Sequence, residues 1–193
     1  MANANAAEAG RRRTLARLAL ARADLTEALS LCDYALADPP IEDEPRYWAL
    51  HEAVVITYGR PFTSNKPVGA LAAKWHRFGD PRLDFNHKRI LDLRNEVVAH
   101  AELKHRRIHV VPKGTLIGDT GAIAPERLIT VLRVGLGVGS YAAVRELCAD
   151  LLPRLNDAIT EAFAALYGNG QPDRPLELIP TEGGWVTIEI TQP

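Results

Sequence analysis

Arg94, Asn95 and His100 form the most concentrated group of chemically able side chains in the sequence, within the string LDLRNEVVAHAE. An arginine can hold a phosphate through two N–H groups, and a histidine titrates near neutral pH. With an amide beside them, they have what metal-independent cleavage of an RNA phosphodiester requires: proton transfer and stabilisation of the growing phosphate charge. The structural alternative is that Arg94 pairs with Glu96, Asp92 or a neighbouring helix, and that His100 is a hydrogen-bonded structural residue.

A long helix from Asp84 to Glu102, with Asp84 as its N-cap, is predicted to position these residues. Its apolar residues recur at the spacing of a packed helix; they are Phe85, Ile90, Leu93 and Val97. His87 and Arg94 are seven residues apart and fall on nearly the same side. Arg94 and His100 diverge by roughly 120° and lie about 9 Å apart along the helix axis. Arg94 and His100 could therefore act at one site only through a substrate phosphate that reaches both, or through a second copy of the helix.

Composition is typical of one soluble globular domain with a substantial core. The chain has 193 residues, of which 47% are hydrophobic and 24% charged. The net charge of −1 excludes a global attraction to nucleic acid or anionic lipid. Between Arg82 and Lys113, however, eight Lys/Arg face four Asp/Glu, a local charge of +4. Cys32 and Cys148 lie in apolar patterns, which favours buried thiols in a reducing compartment, and no apolar run is long enough to span a membrane. We predict a cytoplasmic protein.

Apolar periodicity predicts a mainly α fold, with residues 1–10 disordered, a helical bundle over 11–167, and a β-hairpin tail over 168–193 packed on the same domain. The other helices are predicted at about 11–37, 45–58, 68–78, 128–134 and 141–167. Alternating β-branched residues predict short strands at 107–111 and 115–117 and a hairpin from 176 to 190. We expect these strands to join in one small sheet, because an isolated hairpin is marginal in water.

Two further patterns are weaker. The run Gly135-x-Gly137-x-Gly139 suggests a phosphate loop, but helical sequence is predicted before it and no Lys-Ser/Thr follows, so a break between helices is the better interpretation. His105 and His109 are four residues apart, yet the pattern there runs from helix into strand and offers no third ligand. We predict no metal and no cofactor.

The string from Arg94 to His100 resembles the motif of the HEPN superfamily, in which an arginine and a polar residue precede a histidine by a few positions. The longer string LDLRNEVVAHAE is similar to the variant in the abortive-infection branch, where an Ala-His pair closes the motif. Tyr58-Gly59-Arg60-Pro61-Phe62 is also similar to a segment common in that branch. The resemblance as an arrangement of helices covers roughly residues 12–166.

The resemblance implies an up-and-down bundle of four or five helices that forms a homodimer, with the motif helices facing each other. It implies a metal-independent endoribonuclease in a toxin or phage-defence role, with RNA as substrate and an antitoxin as a further partner. His100 would be the acid/base, Arg94 the phosphate clamp and Asn95 a positioning group.

His87, Glu96, Arg60 and Lys104 are assigned supporting or substrate-binding roles. For the family's further polar residue, the sequence offers His51, Glu52 and His87. HEPN domains also include non-catalytic interaction modules and nucleotide-binding modules, which remain the alternative.

Overall fold

A computed structural model describes most of the chain. The described residues are 2–41, 45–64, 66–99, 106–117, 122–123, 128–133, 138–168, 170, 172, 174–181 and 184–190. They form four α-helices: α1 (Ala2–Ala37), α2 (Pro45–Gly59), α3 (Pro81–Ala99) and α4 (Val138–Tyr167). Short 3-10 turns cover Arg60–Phe62 and Ala73–His76. The prediction of a mainly α bundle with a small β appendage is confirmed.

Side-chain contacts give the helices alternating directions. Arg46 near the start of α2 bonds Asp38 just after α1, whereas Arg60 just after α2 pairs with Asp24 in the middle of α1. Arg145 near the start of α4 bonds Asp33 near the end of α1. On α3 and α4, Arg82 bonds Glu146 and Arg89 bonds Ser140. Each helix therefore runs antiparallel to the next, which is the up-and-down arrangement.

The core lies chiefly between α1 and α4. From Leu18 onward, the buried residues of α1 follow alternating steps of three and four; they are Leu18, Ala21, Leu25, Ala28, Cys32 and Ala35. On α4 the same steps give Tyr141, Val144, Cys148, Leu151 and Leu155. This spacing keeps one stripe of each helix facing the other, as in antiparallel bundles. Alanine alternates with larger residues on α1, so the backbones can approach closely.

Three helices begin earlier than predicted, and one of them is α4, which starts at Val138 rather than at residue 141. α1 starts at Ala2 rather than near Arg11, so residues 2–10, predicted to be disordered, are helical; alanine, the strongest helix former, is frequent there. α3 starts at Pro81, and its N-cap is Asp80, whose carboxylate accepts the Arg82 N–H at 2.8 Å. Asp84, predicted as the cap, instead lies in the first turn and accepts the Phe78 N–H at 3.0 Å. Proline suits the first helical position because its missing N–H would have no partner there.

The burial of α3 also differs from the prediction at one residue. Leu83, His87 and Ile90 are buried, whereas Phe85 is 66% exposed. At 100° per residue, Phe85 lies almost opposite the Leu83–His87–Ile90 stripe. The bundle buries that stripe, so Phe85 points outward.

The six described strands form three separate antiparallel pairs. β1 (Arg106–Val111) pairs with β4 (Leu128–Arg133), and β2 (Leu116–Ile117) pairs with β3 (Ala122–Ile123). The helix predicted at 128–134 is wrong: residues 128–133 form β4, because Ile129, Thr130 and Val131 are β-branched and β1 supplies the ladder. The helix predicted at 68–78 is reduced to the 3-10 turn Ala73–His76.

The C-terminal hairpin consists of β5 (Leu176–Thr181) and β6 (Gly184–Glu189), as predicted. It pairs with none of the other described strands, so the single shared sheet is wrong. The hairpin packs on α1 instead: Trp185 is buried, and its carbonyl accepts a hydrogen bond from Arg12 Nη1 at 3.3 Å. The hairpin is thus stabilised by packing on α1 rather than by joining a larger sheet. Across the described residues, no helix has a stretch long and apolar enough to cross a membrane.

Candidate functional site

Arg94 lies across the C-terminal end of α2. A Cβ built on Gly59 would lie 2.6 Å from Arg94 Cγ, 3.2 Å from its Cβ and 3.3 Å from its Cδ. The aliphatic stem of the arginine therefore occupies the space that any side chain at residue 59 would need. Arg94 itself is half-buried, so its stem is fixed by packing while part of its surface remains accessible.

The guanidinium of Arg94 is only partly engaged. Nη1 donates to Asn95 Oδ1 at 3.2 Å. Nε is buried and has no hydrogen-bond partner within the described part of the chain. A buried N–H without an acceptor is costly, by about 1–3 kcal/mol. An anion would supply the missing acceptor if the side chain moved enough to expose Nε, while Asn95 Oδ1 accepts from Nη1.

His87 lies one heptad before Arg94 and reaches the same end of α2, as their spacing predicts. It is 3% exposed, and both ring nitrogens are hydrogen-bonded. Nδ1 is 2.7 Å from the Tyr58 hydroxyl, and Nε2 is 3.0 Å from His76 Nδ1. The rings of Phe62 and Phe78 pack against the imidazole, with centroids 4.6 Å and 5.2 Å away. His87 therefore supports the site from the core rather than offering a nitrogen to solvent.

The pKa values explain how these groups share protons. Burial, and then the neighbouring His76, lower the pKa of His87 to about 4. Burial raises the pKa of Tyr58 well above its ordinary value and lowers that of His76. Neutral forms satisfy both bonds when the Tyr58 hydroxyl donates to His87 Nδ1 and His87 Nε2–H donates to His76 Nδ1. Burial also lowers the pKa of His51 to about 4.

Arg60 faces α1. Its Nη1 lies 3.3 Å from Asp24 Oδ1 and 3.6 Å from Glu27 Oε2, both on α1. These carboxylates neutralise Arg60 and tie the end of α2 to α1. Its assigned supporting role is therefore structural at these contacts.

Of the remaining predicted site residues, only some belong to the described part of the structure. Asn95 is exposed beside Arg94. Glu96 belongs to α3, but its side chain lies outside the described part of the structure. His100 and Lys104 also lie outside the described residues, so their predicted roles stay predictions. The structure thus joins Arg94 with Asn95 and, through the end of α2, with His87.

The outer face of α3 combines charge with one large apolar side chain. Phe85, Lys88, Arg89 and Asp92 are exposed. Arg89 Nη2 donates to Ser140 Oγ at 2.9 Å at the start of α4. An exposed aromatic beside cations is typical of surfaces that contact a partner.

The described residues give little support to a metal site or to a phosphate loop. Over the described ranges, no group of three or more His, Cys, Asp or Glu residues could hold a metal ion. Strand β4 comes before the glycine run, so the predicted break between two helices is wrong, and so is the first of our two reasons for rejecting a phosphate loop, a preceding helix. β4 nevertheless belongs to an antiparallel pair rather than a βαβ unit, and Ser140-Tyr141 rather than Lys-Ser/Thr follows the run.

Sequence reasoning missed the roles of Gly59, Tyr58 and His76. The string Tyr58–Phe62 resembles a family segment, but its contacts with His87 and Arg94 are made on α3, which is distant in sequence. Nothing in the sequence pairs His76 with His87, because His76 lies in a short 3-10 turn whose position against α3 follows from no sequence periodicity.

The two strings that carry the HEPN resemblance contact each other where the stem of Arg94 packs against Gly59. Tyr58 of the first string also bonds His87, which lies on α3 four residues before the second string. A half-buried cation, an amide and a histidine pair therefore lie near the C-terminal end of α2. Comparisons of the chain with protein-family models, with curated proteins and with solved structures find no match.

Proposed function

We propose that this chain is a metal-independent endoribonuclease of the HEPN type, acting as a cytoplasmic homodimer in a toxin or phage-defence role. The observation that carries the proposal is Arg94, whose stem packs against Gly59 and whose buried Nε has no acceptor among the residues that the structure describes. The local charge of +4 between residues 82 and 113, in a chain of net charge −1, adds an attraction for a polyanion.

In the proposed reaction, a ribose 2′-oxygen attacks the adjacent phosphorus and the bond from phosphorus to the 5′-oxygen breaks. The products are a 2′,3′-cyclic phosphate and a 5′-hydroxyl. One histidine accepts the 2′-hydroxyl proton and another protonates the leaving 5′-oxygen, roles that two copies of His100 in a dimer can divide. Arg94 binds the non-bridging oxygens and stabilises the charge they gain, while Asn95 orients the guanidinium.

Cleavage of labelled total RNA in EDTA tests this proposal. Wild type should leave cyclic phosphate ends, whereas His100→Ala should show no cleavage and Arg94→Ala a loss of about 100-fold, as for one charge-stabilising group. Arg174→Ala is the matched control, because Arg174 pairs with Glu189 on the distant hairpin. Cleavage by His100→Ala at the wild-type rate would refute the proposed chemistry.

A second candidate is a non-catalytic interaction module, and the exposed Phe85 favours it. In that case α3 serves to bind a second copy or another protein through Phe85 and its charged neighbours. Phe85→Ser should then weaken association without any nuclease activity to lose, as measured by sedimentation velocity. Cleavage that requires His100 distinguishes the first function from the second.

A further inference from the structure

We infer that Gly59 is a positioning residue of the proposed RNA site, present because its missing side chain leaves room for Arg94. This inference rests on the proposed function, since it assigns Gly59 a role in phosphate binding through Arg94. Gly59 does not touch the substrate in this arrangement; it acts only through the arginine.

The backbone at Gly59 does not itself require glycine. Its φ of −78° and ψ of −19° lie in the right-handed helical region that every L-residue adopts readily. Glycine is also among the poorest helix formers, so alanine would be the better residue for the end of α2. Neither local conformation nor helix propensity explains a glycine here.

Space does explain it. An alanine Cβ would come within 2.6 Å of Arg94 Cγ, a distance that Cβ contacts essentially never show. The clash is with the stem of Arg94 close to α3, where the side chain has little freedom to move aside. A methyl group at residue 59 would therefore push the guanidinium out of its place beside Asn95.

The surroundings make the clash hard to relieve by moving α2. Tyr58 is hydrogen-bonded to His87 on α3, and Phe62 packs against the same imidazole. On the other side, Arg60 is paired with Asp24 on α1. Residue 59 is thus held between two anchored neighbours, and Arg94 is the group that must shift.

The test is a double-mutant cycle between Gly59→Ala and Arg94→Ala, measured in two ways. In urea unfolding, Gly59→Ala should lower the midpoint of the wild type but leave it unchanged or raise it in the Arg94→Ala background, which lacks Cγ and Cδ. Gly10→Ala is the matched control, because Gly10 lies in α1 with nothing within 4 Å of an added Cβ; it should raise the midpoint in both backgrounds.

The second measurement is binding of a labelled, 2′-O-methylated single-stranded RNA in EDTA, which cannot be cleaved through its 2′-oxygen. Gly59→Ala and Arg94→Ala should each raise the Kd about tenfold, and Gly59→Ala should have no further effect in the Arg94→Ala background. A general loss of structure would not produce that saturation.

The role of Gly59 would be overturned if the effects of Gly59→Ala and Arg94→Ala on the unfolding midpoint were additive. It would also be overturned if the wild type binds the RNA and the two effects on Kd are additive. Neither result would contradict the proposed nuclease. A wild type that neither binds this RNA nor cleaves total RNA would overturn the proposed function, and with it the link from Gly59 to phosphate. The two failures are therefore distinguishable.

Discussion

His87 should make the stability of the bundle fall steeply in acid. Its pKa is about 4 in the folded chain and near 6.5 when unfolded, so below pH 6.5 the unfolded state binds a proton that the folded state refuses. The contribution of the neutral imidazole is fully present above pH 6.5 and is lost as the pH falls toward 4. At about pH 5, this linkage costs about 2 kcal/mol relative to about pH 7.5.

The assay is urea unfolding followed by circular dichroism at several values between about pH 7.5 and 5. Because other groups also titrate, the informative quantity is the difference between wild type and His87→Gln, whose side chain can still hydrogen-bond but does not titrate. The variant should lose about 2 kcal/mol less than wild type across this range.

Two further variants separate burial from hydrogen bonding. His51→Gln should reduce the pH dependence by a similar amount, because burial lowers the pKa of His51 to about 4 as well. Tyr58→Phe should lower stability at all pH values by about 1–3 kcal/mol, because it leaves His87 Nδ1 without a donor. It should keep most of the pH dependence, since burial is the main cause of the shift. An equal acid loss in wild type and His87→Gln would refute this reasoning.

Three other predictions concern the core and the hairpin. Cys32 and Cys148 should react with a thiol reagent only as fast as the protein opens, because burial raises both pKa values, that of Cys32 to about 12. Leu151→Ala should lower the free energy of urea unfolding by about 2–5 kcal/mol, since Leu151 is fully buried between α1 and α4. Trp185→Ala should remove hydrogen-exchange protection from the β5–β6 hairpin while α4 keeps it, because Trp185 is the buried side chain of β6.

The helices could be predicted from the sequence because their information is local. The alternating apolar steps of α1 and α4 are visible in the chain, and so is the spacing that brings His87 and Arg94 to one side. The start of α3 is also encoded locally, because Asp80 followed by Pro81 is a capping signal, although our prediction placed the cap at Asp84.

Other features depend on partners distant in sequence. Residues 128–133 contain apolar positions compatible with either periodicity, and the choice of strand depends on β1, which supplies its hydrogen bonds. Phe85 is predicted in the same apolar stripe as Ile90, yet Ile90 is buried and Phe85 lies on the opposite side of the helix from the buried residues. The contact of Arg94 with Gly59 is made between α3 and α2, so it cannot be predicted from either segment alone. Only the folded arrangement shows that an ordinary helical glycine is a space left for an arginine.

The pairing of β1 with β4 bears on where this chain can change length. Arg106 is the partner of Arg133, so the segment between them leaves and returns at points about 5 Å apart. If residues were added to or removed from the segment 107–132, Arg106 and Arg133 would stay the same distance apart. The helices on either side, α3 and α4, would therefore not need to move. The loop after α2 has no such latitude, because Arg13 and Arg17 both hold the Val68 carbonyl at 3.1 Å. The segment between β1 and β4 is therefore the best place in the chain to insert a foreign domain.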